Sequence, residues 1–285
     1  MTFKKIIIDQ GETHRSGSCG THSDVYSEIM KSYCWRILHD KIKLFFIAVM
    51  IILPVIQVFQ VWLTCRHFGL ETYDPMYATF QSLPGIAFHI THRIYMWFMP
   101  LYLLLIFSEP VIEDAETHMV NCLACRAGRR GYVTHNLRNS FACSFSLILA
   151  AMLINLVLCC IVFRGGTFMG VDPDDSPENL LYVISNAHPL IANLIFAIVT
   201  AFISALICTV GTAVALAVPD RKIVYGVSLL MWFIPVASRK SLMLLFQPFS
   251  EYGLGDLIPL FAVVTLSYMA IVAASVFWRS RYETM

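Results

Sequence analysis

Six long apolar blocks divide this chain, at roughly residues 42–64, 93–110, 136–163, 186–218, 222–238 and 257–278, and they leave few folds open. An α-helix needs about 20 apolar residues to cross the bilayer core, so blocks of this size predict membrane spans. The second and fifth are shorter than the rest. A lipid-facing backbone has to satisfy its own hydrogen bonds. The predicted class is therefore all-α, a polytopic membrane protein with six transmembrane helices. Composition agrees: 58% of residues are hydrophobic and 14% charged, against roughly half and a quarter in soluble domains. The chain divides into a polar N-terminal segment, 1–41, and a six-span domain, 42–285.

No apolar core follows Lys4-Lys5 closely enough for a cleavable signal peptide, so the first span is expected to serve as an uncleaved anchor. Ser23-Asp24 offers a helix N-cap. Beyond it Tyr26, Ile29, Met30, Tyr33, Trp35, Ile37 and Leu38 alternate with Glu28, Lys31, Arg36 and Asp40. That pattern predicts an amphipathic helix over 24–40, lying in the membrane interface.

Basic residues set the orientation. With a cytoplasmic N-terminus, 15 of the 20 Lys and Arg fall on the inner side. The loop 165–185 then lies outside, with Asp172, Asp174, Asp175 and Glu178 and no Lys or Arg. A multi-pass protein of the cell membrane with both termini cytoplasmic is expected. Most of the nine cysteines fall in spans or on the reducing cytoplasmic side, which does not suggest a disulfide framework.

Between the second and third blocks lies a short charged segment, Glu109 to Tyr132. Glu113, Asp114 and Glu116 stand early, where a helix dipole favours negative charge. Ile112, Ala115, Met119 and Leu123 recur every three or four residues and make an apolar face. Gly128 can stop the helix, and Arg129-Arg130 then mark the membrane surface. This predicts a cytoplasmic helix over 111–127 with Glu113, Glu116, Thr117 and Asn121 on its polar face, available to dock a soluble partner. Past the fifth block, 241–252 is apolar but too short to cross, and a partly re-entrant helical element is expected there.

The arrangement resembles the membrane subunits of ABC-2-type exporters. Shared features are the six spans, the N-terminal interfacial helix, the acidic helix between spans two and three, and the short element before span six. Glu113-Asp114-Ala115-Glu116 matches the family's acidic start, and Arg126-Ala127-Gly128-Arg129-Arg130 its basic stretch. Thr117-His118 stands where Gly-Thr is usual, Arg126 where a proline is common, and Thr134-His135 where Gly-Lys is frequent. The resemblance implies a permease homodimer or heterodimer bound to two cytoplasmic ABC ATPase subunits, which would carry ATP and Mg. This chain would itself hold no cofactor and catalyse nothing. ATPase docking would fall on Glu113, Glu116, Thr117, Asn121, Arg129 and Arg130. The substrate would be hydrophobic or amphipathic, such as a peptide, an antibiotic or a drug-like molecule.

Other readings of the sequence are narrower. Cys122-x-x-Cys125 lacks the second ligand pair of a structural zinc site. His89 and His92, one turn apart, are two ligands where a metal wants more. Asp172 to Glu178 lacks the spacing and glycine of a calcium loop. No phosphate-binding glycine loop occurs, so the energy source would be another chain. Nothing points to a nucleic-acid partner. A competing class is a non-transport membrane protein, receptor-like or an assembly factor, that docks a cytoplasmic regulator on the same helix. Cysteines placed at 172–178 should label with an impermeant reagent from outside the cell; labelling from the inside alone would overturn the orientation.

Overall fold

The structure, a computed structural model, describes residues 33–69, 71–82, 89–120, 122, 128–168, 180–249 and 253–282. The apolar blocks are helices. After a helical segment at 33–39 come α1 (Lys41–Phe68), α2 (His89–Leu103), a π-helical turn (Leu104–Ser108) and α3 (Glu109–Glu116). Then follow α4 (Arg129–Val162), α5 (Leu180–Ala187), α6 (Pro189–Ala217), α7 (Arg221–Val236), a 3-10 turn (Leu242–Phe246) and α8 (Leu254–Tyr282). Among the described residues no strand forms; an isolated bridge pairs Tyr73 with Phe168.

Among the described residues, five stretches are long and apolar enough to cross a membrane: Lys41–His67, Thr91–Glu116, Arg130–Val162, Pro189–Ala217 and Leu254–Trp278. The chain is thus a helical membrane protein. The span expected at 222–238 is the exception. It is α7, a helix of 16 residues, about 24 Å long at 1.5 Å per residue against a hydrocarbon core of roughly 30 Å. Pro235 stands in its last turn, and the bends at 237–240 end it. Of the short element expected at 241–252, residues 242–246 form the 3-10 turn, capped by Ser241, whose hydroxyl accepts from the Met243 amide; 250–252 lie outside the described residues.

Local signals explain several ends. Asp40 closes the 33–39 segment and caps α1, its carboxylate accepting from the Ile42 amide at 3.0 Å. Gly69 ends α1 at φ 61, in the left-handed region, and its N–H returns to the Cys65 carbonyl. Asp220 caps α7 in the way Asp40 caps α1. The interfacial helix expected over 24–40 is helical at 33–39; residues 24–32 lie outside the described part.

α6 is the hub, packing against α4, α7, α8 and the π turn. Many of its buried positions are small, among them Ala197, Ala201, Ser204, Cys208, Gly211 and Ala215. Small residues let helices in a membrane approach closely. At Gly211 the approach is tightest, because a Cβ there would lie 2.0 Å from Leu104 Cδ2. Hydroxyls then stitch the neighbours together. Thr212 pairs with Ser108 of the π turn at 3.1 Å and with Ser140 of α4 at 2.7 Å.

At the opposite end from α3, the loop between α1 and α2 folds into the bundle, and residues 77–82 are buried. Asn155 of α4 accepts from the Phe80 amide at 2.8 Å and donates to the Pro54 carbonyl of α1 at 2.8 Å. Asn193 of α6 accepts from Thr79 and Ser82, and Gln81 donates to Thr200. α7 runs antiparallel to the second span: Arg221 meets Glu109 and Glu116, Phe233 lies edge-on to Trp97 at 6.4 Å, and beyond it Phe249 stacks on Tyr77 at 4.5 Å.

Replacing Gly211 with Val should lower the melting midpoint in detergent by the equivalent of about 1–3 kcal/mol through overpacking. Combined with Leu104→Ala, the loss should be smaller than the sum of the two single changes. Strict additivity would mean that Leu104 is not what Gly211 makes room for.

Candidate functional site: the charged end of the second span

The second span does not stop at its apolar block. Pro100 lacks the N–H that would bond one turn back, and the π turn follows within a few residues. Pro110 then falls in the first turn of α3, where a missing N–H costs little. The helical path therefore runs on to Glu116 and carries the acidic residues with it. Thr117 ends it, its hydroxyl donating to the Glu113 carbonyl at 2.7 Å. His118 turns the chain at φ 58.

Two sets of cations grip this end. From the N-terminal side, Arg36 Nη1 meets Asp114 Oδ1 at 2.8 Å, and Arg36 Nη2 lies 3.7 Å from Glu113 Oε2. Lys43 of α1 meets Glu113 Oε1 at 3.0 Å and Asp40 at 3.2 Å. Tyr132 of α4 donates to the second oxygen of Asp114 at 3.2 Å. From the other side Arg221, at the start of α7, meets Glu109 at 2.7 Å and Glu116 at 2.9 Å. Tyr225 donates to Glu109 at 2.9 Å. Beside these, Tyr33 donates to the Phe107 carbonyl at 2.9 Å.

Burial separates the two sides. The Asp114 side chain is 6% exposed and that of Lys43 4%, whereas Arg221 and Glu116 are about half exposed, at 50% and 49%. Exposed pairs contribute little, while removing one partner of a buried pair strands a charge. Burial also pushes the Tyr33 phenol well above its ordinary value, so it stays a donor. Burial disfavours the Asp40 carboxylate, but the Ile42 amide and Lys43 outweigh that and hold it below its ordinary value of 3.8. Because its pKa is depressed, its cap is in place above the ordinary carboxylate range. The cap is lost as the pH falls below that range.

The docking residues expected from sequence are thus distributed differently from a free polar face. Glu113 is ion-paired with Lys43, Glu116 with Arg221, and Thr117 is exposed with its hydroxyl turned back on the helix. Arg130 is exposed on the first turn of α4. Arg129 begins that helix, with its side chain outside the described residues, and Asn121 lies outside them altogether. The helix expected across 111–127 is, as far as Glu116, the continuation of the second span; 123–127 lie outside the described residues. Sequence reading missed Asp114 as the best-buried acid, Arg36 and Tyr132 as its partners, and Lys43, Arg221 and Tyr225 as partners of the neighbouring glutamates. These lie 18 to 116 positions away along the chain, beyond any local pattern.

The cluster is a structural clamp, with each acid named above answered by a cation or a hydroxyl. Among the described residues no group of three or more His, Cys, Asp or Glu side chains is placed to hold a metal. Cys122 is exposed and Cys125 lies outside the described residues.

Five long apolar helices, with charge gathered at their ends, define a polytopic helical membrane protein. No family model and no solved structure matches the chain. It is 31% identical over 255 residues to the uncharacterized protein YybM of Bacillus subtilis (strain 168), covering 89% of this chain and 99% of that protein. The chain belongs to the same family as YybM.

Asp114→Ala, which strands Arg36 and Tyr132, should cost about 2–3 kcal/mol of stability. Glu116→Ala should stay within about 1 kcal/mol. Thermal midpoints in detergent measure both. Equal effects would mean that the buried half of the clamp holds nothing the exposed half does not.

Proposed function

We propose that this chain is the membrane-spanning permease subunit of an ATP-driven exporter of the ABC-2 type, and that it moves a hydrophobic or amphipathic substrate. The observation that carries the reading is the clamp. α3 is one helical path with the second span, and its ion pairs tie it to the 33–39 segment and α1 on one side and to α7 on the other. A displacement applied at Glu116 is thereby shared among at least three membrane helices. This is the junction an external motor needs.

Charge distribution supports the same reading. Residues 44–65, 94–108, 139–162, 189–217 and 257–278 contain no Asp, Glu, Lys, Arg or His. A proton- or ion-coupled carrier ordinarily places ionisable groups deep within its spans; here Lys43 and Asp114, both buried, stand at the charged end of their spans and are ion-paired, which favours an energy source outside the chain. The source in this reading is a pair of cytoplasmic ABC ATPase subunits, which bind ATP and Mg and dock near the exposed Glu116, Thr117 and Arg130. Two permease chains would form the pathway. α7 with the 3-10 turn would complete a sixth crossing, tilted and partly re-entrant, which leaves both termini cytoplasmic.

Purification of the full chain from its own membranes should bring down an ABC ATPase, and the reconstituted complex should hydrolyse ATP. Glu116→Lys should weaken that co-purification, since charge reversal opposes docking, while the melting midpoint moves by less than about 1 kcal/mol. A chain that carries no ATPase through purification would contradict the reading.

A further inference from the structure

Of the five described residues whose buried side-chain polar atoms have no partner, Gln57, Tyr95, Ser228, Trp232 and Thr265, the first two stand on neighbouring helices at the same level. Gln57 of α1 is 1% exposed and Tyr95 of α2 is fully buried. Among the described residues, neither the Gln57 amide nitrogen, nor its oxygen, nor the Tyr95 hydroxyl has a hydrogen-bond partner. An unpaired buried polar group is costly, and one in a native structure calls for a ligand or a water.

Register places the two at one level of the bundle. Thr91 of α2 donates to Gln60 of α1 at 2.9 Å. Further along the same pair of helices, Phe46 of α1 stacks on Tyr102 of α2 at 6.0 Å. Between these ties α1 and α2 run antiparallel. Gln57 stands one turn below Gln60, and Tyr95 one turn below Thr91, so both occupy the same level. The Phe80 ring lies 5.0 Å from that of Tyr95. Phe80 belongs to the buried loop, and its amide is held by Asn155, which also grips the Pro54 carbonyl one turn below Gln57. The level of Gln57 and Tyr95 is therefore closed at this end by an aromatic ring on a loop, not by a helix.

We propose that Gln57 and Tyr95 form a binding site for an uncharged amide group carried on an otherwise apolar molecule. A carboxamide offers one acceptor and two donors, and a phenol one donor and an acceptor. An amide matches the first in a two-point pairing and leaves its second lone pair for the hydroxyl. Residues 44–65 and 94–108 of the two helices hold no Asp, Glu, Lys, Arg or His; His92, 5.0 Å from the Phe80 ring, and the exposed Arg93 stand at the loop end of α2, and a buried unpaired charge is strongly disfavoured. Phe80 covers the site from the loop end, so ligand entry requires the loop to shift. The inference rests on the export reading only in naming such a ligand a substrate.

The test uses the purified full chain in lipid nanodiscs without any ATPase. The probe is radiolabelled cyclic dileucine, whose cis amides present N–H and C=O side by side; its N-methylated form, lacking the N–H, is the control. The wild type should bind the probe saturably and the control at least about tenfold more weakly. Gln57→Leu and Tyr95→Phe should each weaken probe binding by about tenfold. Both variants should keep or raise the melting midpoint, because no protein hydrogen bond is lost. Absence of saturable binding to the wild type would overturn the proposal, as would unchanged binding in both variants. So would a fall in the midpoint of either variant, which would show that the groups are paired with an internal water. A chain that binds the probe yet brings down no ATPase would keep the site and lose the exporter.

Discussion

The bundle depends on how closely α6 can lie against the π turn of the second span. Within lipid no hydrophobic force draws one apolar helix to another, so packing and hydrogen bonds have to do it. Gly211 supplies the packing, since any Cβ there would collide with Leu104. Thr212, Ser108 and Ser140 supply the hydrogen bonds, joining three helices through hydroxyls that carry no charge. Cys208 adds a thiol contact to the Leu103 carbonyl at 3.7 Å, beside the π turn.

That contact sits directly above the charged end, and the two are mechanically continuous. The π turn is the only departure from α geometry between the membrane-embedded α2 and the acidic α3. π turns commonly mark functional positions in helices. A push on α3 reaches α6 through this turn and reaches α1 and α7 through the ion pairs. The buried side of the clamp, around Asp114, resists such a push more than the exposed side around Glu116. Arg221 is therefore the natural place for the clamp to loosen first, leaving Arg36 and Lys43 as the fixed side.

Much of this was legible in the sequence. The apolar blocks gave α1, α4, α6 and α8 directly, because length and hydropathy decide membrane helices with little help from tertiary context. The acids at 113–116 were also visible, but their placement was not. Glu109-Pro110 reads as the end of a span, yet proline is tolerated in a first helical turn, and the helix goes on. The cations that answer those acids come from segments 70 to 105 positions away, and in the sequence they serve to orient the chain and, for Arg36, to mark the polar face of the interfacial helix. Asn155 and Asn193 were the overlooked signal. A carboxamide in an apolar span needs partners, and both find one in the loop at 76–82, which no local pattern in the sequence marks as buried. α7 has the composition of a span and not the length, a distinction its proline and the following Ser238-Arg239-Lys240 announce only in part.

The central claim is that the charged end of the second span moves as the input of an ATP-driven cycle. Spin labels on His118 and Lys222, both exposed and flanking the Glu116–Arg221 pair, measure it most directly. In the chain reconstituted with the ABC ATPase proposed as its partner, the account predicts that their separation takes two values whose populations change when ATP is added. A single separation, unchanged through rapid ATP turnover, would contradict it.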